Sequence, residues 1–288
     1  MPNAFTAIDV ETANADVASI CQVGVVRFED GQVVSEWQSL VNPEDYFSSV
    51  NVGIHGITDD MVALAPTLPQ LHQSLVAKLL GQVVVCHTAF DRVSIDLACQ
   101  RYSLAVPEVT WLDSARVARR AWPEHCGQRG YGLKKLATML SLSFTAHVAV
   151  EDARAAGFVV TNAMTHTGLS LTDWLTRVKH PILPTRQDHD AGAHQVPEGP
   201  LANEVVVFTG ALSMLRGEAA AMAARAGSDV RESVNRETTI LVVGDQDVRR
   251  LLGHEKSSKH RKAETLIQGG QLIRIIGERD FLRLVAID

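Results

Sequence analysis

The chain has 288 residues, 46% of them hydrophobic and 21% charged, with a formal net charge of −6 and four cysteines. That length admits two domains, and the balance is that of an ordinary globular protein rather than a disordered or fibrous one. No apolar run approaches the roughly 20 residues a membrane helix needs, and Cys21, Cys86, Cys99 and Cys126 lack the C-x-x-C spacing of a zinc knuckle or a disulfide framework. No basic segment followed by an apolar core opens the chain, so a cytoplasmic location with reduced thiols is expected.

Ala4 to Thr12 (A-F-T-A-I-D-V-E-T) reads as a first strand. Side chains alternate faces along a strand, so Phe5, Ala7, Asp9 and Glu11 share one face and Thr6, Ile8 and Val10 the other. The Cα atoms of Asp9 and Glu11 would then lie about 6–7 Å apart, near enough for both carboxylates to reach one pair of cations. Two buried acids need either raised pKa values or bound metal. Metal is the preferred reading. The alternative is a strand that ends near Asp9 and leaves both acids in water.

Ser19 to Phe28 and Val33 to Val41 read as two more strands, joined through Glu29-Asp30-Gly31. Asp-Gly between apolar runs is a hairpin signal, which predicts an antiparallel meander. A turn at Asn42-Pro43 and a loop lead to Ile54-His55-Gly56-Ile57-Thr58, where Thr58 is placed to cap a short helix. Leu68, Leu71, Leu75, Val76, Leu79 and Leu80 make Thr67 to Leu80 an amphipathic helix. The buried strand Val83 to Cys86 follows this crossover and turns the sheet into a mixed one. His87 to Asp91 then open a helix to about Tyr102. Ligands collect at strand ends in open α/β sheets, so Asp91 is positioned to join Asp9 and Glu11.

Val109 to Leu112 is a short strand, Asp113 caps a helix through Trp122, and Leu133 to Leu140 is helical. The next helix begins near His147 and runs to about Thr165. Five residues on a helix turn through about 140°, so His147 and Asp152 converge only if His147 lies in the loop ahead of it. Arg116, Arg119, Arg120, Arg129, Lys134 and Lys135 form a basic stretch that either tracks phosphates or is a solvated helix face.

Residues 178–201 hold Pro181, Pro184, Pro197 and Pro200 and read as a linker, with His189, Asp190 and His194 as solvated polar residues. Beyond it, the apolar strands Glu204 to Gly210, Thr239 to Gly244 and Leu272 to Ile276 alternate with helices at Gly217 to Ala226, His260 to Ile267 and Glu278 to Val285. Such alternation indicates a small parallel α/β domain. The expected division is 1–177, a linker at 178–201, and 202–288.

The first segment resembles the DEDDh 3′→5′ exonucleases, the group that includes the proofreading epsilon subunit of bacterial DNA polymerase III. Ile8-Asp9-Val10-Glu11-Thr12 matches the first motif, Phe90-Asp91 the second, and His147-x-Ala149-x-x-Asp152-Ala153 the third. The loop Ile54-His55-Gly56-Ile57-Thr58 and the segment Tyr131-Gly132-Leu133 are also similar, and the resemblance covers roughly residues 4 to 168. His87 departs from the family, standing where an asparagine is common. The resemblance implies a ribonuclease H-like mixed-sheet fold and two divalent ions, Mg²⁺ or Mn²⁺, held by Asp9, Glu11, Asp91 and Asp152. It implies that Asp9 bridges both ions and that His147 is the general base. Thr12, His55, Ile57 and Phe90 would contact substrate, and the product would be nucleoside monophosphates released from DNA 3′ ends. Hard oxygen donors suit those ions, two of which, about 3.5–4 Å apart, can clamp the attacking and leaving oxygens.

Residues 201–288 resemble a BRCT domain of the type that ends bacterial NAD-dependent DNA ligases, through Phe208-Thr209-Gly210, Thr238-Thr239-x-Leu241-Val242-Val243-Gly244, Lys259, Lys262 and Phe281-Leu282. In phosphate-binding relatives the positions of Thr209, Gly210 and Lys262 form an anion pocket. The alternative is a plain protein-docking module. The expected partners are single-stranded or frayed DNA ends and a repair or replication protein or phosphorylated ligand, with no membrane. Two rivals remain: an RNA or oligonucleotide exonuclease, and a BRCT tethering protein whose nuclease fold only binds nucleic acid.

Overall fold

The structure is a computed structural model that describes residues 3–124, 131–180, 182, 198–244 and 257–287. The first sheet holds β1 (Ala4–Thr12), β2 (Ile20–Glu29), β3 (Gln32–Leu40), β4 (Val83–Cys86) and β5 (Thr110–Asp113) in the order β3-β2-β1-β4-β5. β1, β2 and β3 pair antiparallel, while β4 is parallel to both β1 and β5. The mixed sheet is thus the predicted one. At the β2–β3 turn, Asp30 and Gly31 both take positive φ (48° and 83°), the geometry whose twist matches a two-residue hairpin.

Strand alternation sorts the core. Ile8, Val10, Val23, Val25 and Val84 pack under α3 (Leu68–Leu79) and α4 (Phe90–Arg101). Phe5, Ala7, Val26 and Phe28 face the opposite way, towards α5 (Ser114–Ala121) and α7 (Ala149–Thr167). That second face also carries Asp9 and Glu11, so α7 is delivered to the acidic side of β1. Its approach depends on Gly24, the register partner of Asp9. A Cβ there would lie 2.2 Å from the backbone nitrogen of Val150, so any larger residue would push α7 off the sheet.

Two elements here were not anticipated. The segment before Ile54 is not a loop: α1 (Ser49–His55) forms there, capped by the Ser48 side chain, and α2 (Asp59–Val62) follows it. After α6 (Leu133–Met139) and α7, α8 (Leu171–Arg177) buries Trp174 behind a capping box from Ser170.

The second sheet holds β6 (Val205–Thr209), β7 (Asp229–Arg231), β8 (Ile240–Val243) and β9 (Arg274–Gly277), all parallel, in the order β7-β6-β8-β9. Its helices among the described residues are α9 (Arg216–Arg225), α10 (Ser258–Gln268) and α11 (Glu278–Val285). β7 is a three-residue edge strand whose Asp-Val-Arg has no apolar run to announce it.

The two units are packed together. Phe281 and Leu284 of α11 join the cluster beneath α4, the Asp280 carboxylate accepts the Val17 N–H at 2.9 Å, and Gly277 donates to the Ala15 carbonyl at 3.3 Å. Two arginines of the expected phosphate-tracking stretch serve this junction instead. Arg119 is buried and donates to the Ala202 carbonyl, while Arg120 donates to the His180 carbonyl and pairs with Glu198 at 3.3 Å. Arg129, Cys126 and the linker residues His189, Asp190 and His194 lie outside the described residues. Among those described, no helix is long and apolar enough to cross a membrane, and Cys21, Cys86 and Cys99 are free and buried.

Candidate active site

β1 is the middle strand of the first sheet, and its C-terminal end lies beside that of β4, where the chain turns into α4. Asp9 and Glu11 come from β1, Asp91 from the first turn of α4, and Asp152 from the first turn of α7. α7 is aligned over β1 by the Ala149 N–H, which donates to Gln22 Oε1 at 3.0 Å. Gln22 is the register partner of Glu11. Asp152 caps its own helix by accepting the Val148 N–H at 3.1 Å.

Asp9, Glu11 and Asp152 each place one carboxylate oxygen within 4.8 Å of the others. Asp91 stands outside this group: it is 2% exposed, and its Oδ1 accepts the Val10 N–H at 3.1 Å. All four acids border a single cavity of about 450 Å³. His147 lies in the turn ahead of α7, as its spacing from Asp152 demands, with a left-handed φ of 65°. Its Nδ1 is 4.0 Å from Glu11 Oε1.

The electrostatics describe a site short of positive charge. Burial raises the pKa of Glu11 to about 8, of Asp91 to about 7 and of Asp152 to about 6, and lifts Asp9 well above the usual carboxylate range. Mutual repulsion adds to the shifts of Asp9 and Glu11. Burial, then the positive charge of Arg274, lower the pKa of His147 and favour its neutral form. Three converging hard oxygen donors with unmet negative charge fit Mg²⁺ or Mn²⁺. Asp9, Glu11 and Asp152 would hold such ions, with Asp91 beside them.

A model of the RNase T exonuclease family matches residues 6–159, more than half of the chain. The chain belongs to this exonuclease family. It is 28% identical over 160 residues to a PolC-type DNA polymerase III of Oceanobacillus iheyensis and 24% identical to that of Bacillus cereus, in each case across 54% of this chain. It spans only 11% of either relative's length. Among solved structures, the nuclease domain of 3′hExo, a DEDDh member bound to rAMP, superposes with a TM-score of 0.51 at 18% identity, covering 58% of this chain and 94% of that one. Exonuclease I superposes at 0.52 and 15% identity, covering 60% and 42%. These likenesses establish the fold. Members of this family work with two divalent metals, which accords with the acid set.

The other residues expected at the exonuclease site separate into two groups. Phe90 borders the cavity, whereas Ile57 is buried against Ala13, Cys21 and Val62 and does not reach it. His55 accepts the Ile57 N–H at Nδ1, so its Nε2 carries the proton that it donates to the Thr12 carbonyl at 3.2 Å. Asn51 donates to the same carbonyl at 2.8 Å. Thr12 and His55 line the cavity, yet these contacts also pin the end of β1. Asn51 escaped notice because α1 did. His87 bridges Ser114 and the Tyr131 carbonyl, and burial lowers its pKa to about 4. It also lines the cavity, with both ring nitrogens engaged by the chain itself.

In the second unit the Thr209 hydroxyl bonds that of Ser257 at 2.7 Å, and Gly210 has a left-handed φ of 76°. Lys259, not Lys262, reaches this strand end: its Nζ donates to the Phe208 carbonyl at 3.0 Å, while Lys262 is exposed on α10. Arg274 of β9 crosses from this unit to border the acidic cavity, a placement no local sequence pattern announces.

Proposed function

We propose that the chain is a metal-dependent 3′→5′ exonuclease that removes nucleoside monophosphates from DNA 3′ ends, in the cytoplasm, during replication or repair. The observation that carries this reading is the convergence of Asp9, Glu11 and Asp152 within 4.8 Å, with His147 at their edge. When bound, divalent ions would supply charge stabilisation for the phosphodiester's attacking and leaving oxygens. The carboxylates of Asp9, Glu11 and Asp152, with that of Asp91, would hold the ions and so fix the centre at which hydrolysis occurs. His147, held neutral, takes the proton of the attacking water at its ring nitrogen. A metal-held carboxylate is too weak a base for this step, whereas an imidazole titrates near working pH. Phe90, which borders the cavity, is the proposed substrate contact.

The second unit is read as a BRCT-type module that brings the nuclease to a DNA end or to a replication or repair partner. Its all-parallel sheet and the Thr209–Gly210 strand end support that reading. The pocket residues proposed are Thr209 and Gly210 with Lys262, and Lys259 is the nearer ammonium.

A time course on 5′-labelled single-stranded DNA and RNA of equal sequence, with Mg²⁺, Mn²⁺ or EDTA, tests the enzyme reading. The expected result is a metal-dependent ladder shortening from the DNA 3′ end and absent in Asp152→Ala. Cutting of RNA alone would move the substrate to RNA. Cutting of neither, with binding retained, would sink the enzyme reading.

A further inference from the structure

Arg274 belongs to the second unit but stands over the first unit's chemistry. Its guanidinium carbon is 4.6 Å from the centre of the Phe90 ring, next in sequence to Asp91. One of its nitrogens, Nη1, is 3.5 Å from the Thr88 hydroxyl. The backbone around it is firmly placed. The Arg274 N–H donates to the Thr239 carbonyl at 2.8 Å, Arg274 faces Ile240 across the β8–β9 pair, and three residues later Gly277 is tied to Ala15.

The charge of Arg274 is felt at Asp9, Glu11, Asp91 and Asp152, in each of which it opposes the rise in pKa. Yet Arg274 makes no ion pair within 4.0 Å with any carboxylate of the described residues, and its side chain is exposed. A guanidinium that plugged the site would fork onto those carboxylates, because bidentate pairing is its strongest interaction. Stacking on Phe90 instead holds it beside the acids with N–H donors left over. Lys134 and Lys135 of α6 also line the cavity and supply further positive charge.

We propose that Arg274 is a substrate-binding residue that contacts a phosphate of the strand entering the nuclease site, so that the second unit completes that site. The inference rests on the exonuclease reading. A planar fork of donors beside the metal-binding acids is the group that recognises a phosphodiester oxygen, and the aromatic ring under it fixes its direction without neutralising it. The entering strand would then pass between α6 and β9.

The test uses the full chain with Arg274→Ala and Arg274→Lys. Steady-state cleavage of a 5′-labelled single-stranded DNA oligonucleotide should show KM raised about 10–100-fold in Arg274→Ala, with a smaller change in kcat and partial recovery in Arg274→Lys. Binding of the same oligonucleotide by anisotropy, in an Asp152→Asn background, should show the salt slope reduced by about 0.7. Thermal melts verify that each variant folds; should Arg274→Ala not fold, Arg274→Gln replaces it. An unchanged KM and salt slope, or faster turnover in Arg274→Ala, would overturn the proposal, the latter by identifying a blocking residue. Because the binding arm needs no turnover, it judges Arg274 even if the wild-type chain cuts nothing.

Discussion

Both sheets bury charged side chains, but they treat them differently. In the second unit Glu278 is 2% exposed and its carboxylate accepts the Ser213 N–H, at 2.7 and 2.9 Å, and the Ser213 hydroxyl. Asp280, equally buried, takes the Val17 N–H. These acids cap loops and join units. In the first unit Asp9, Glu11 and Asp152 converge on one another; the Val148 N–H bonds Asp152, and the field of Arg274 opposes the rise in pKa of all three. A buried charge with a fitted partner is architecture. A cluster of acids that repels itself and that no arginine or lysine of the described residues pairs with is a site kept ready for a cation.

The most severe way to break that contrast is Asp152→Asn or Asp9→Asn. Either should lower cleavage by more than about 10³-fold, since the ion set fails, while the metal-free melting temperature stays level or rises as repulsion is relieved. A variant that keeps activity would refute the site, and one that simply unfolds would place the acid with Glu278. His147→Ala should reduce kcat by about 10²–10⁴-fold and leave the Mg²⁺ concentration dependence nearly unchanged. Equal loss of both would make His147 a ligand rather than a base.

On the architectural side, Asp280→Ala should cost about 1–3 kcal/mol by orphaning the Val17 N–H, seen as a lower denaturant midpoint. An unaltered midpoint would mean that the junction does not depend on this bond. The smallest effect sharpens the contrast through pH. Raised carboxyl pKa values mean that the folded, metal-free chain holds more protons than the unfolded chain. For Glu11 the window runs from its ordinary 4.5 to about 8, and within it stability falls as pH rises. Mg²⁺ should therefore raise the melting temperature more at pH 8 than at pH 5.5, because protons compete for the same oxygens. In Glu11→Gln this difference should shrink; an equal Mg²⁺ shift at both pH values would contradict the raised acids.

The amino-acid sequence by itself determined what depends on neighbours along the chain. The period of two in β1 put Asp9 and Glu11 on one face, the Asp30-Gly31 turn set the meander, and the five-residue step from His147 to Asp152 required a loop before α7. β4, β6 and β8 were legible because they are nearly continuous apolar runs. What escaped was set by contacts distant in sequence. α1 is a seven-residue helix whose apolar pair, Val50 and Ile54, packs against the second unit's core while Asn51 holds it to the end of β1, and the polar β7 exists because β6 offers it an edge. Ile57, matched to a substrate contact by motif, was drawn into the core by Val62 and Cys21. Arg119 and Arg120 look like phosphate contacts until Ala202 and Glu198 are brought to them. Arg274 is separated from Phe90 by 184 residues, and only the docking of the second unit, through the bonds of Gly277 and Asp280 to the loop after β1, places it beside the acids. Local periodicity carries information about faces and turns, whereas a site's missing cation comes from whichever distant surface packs against it.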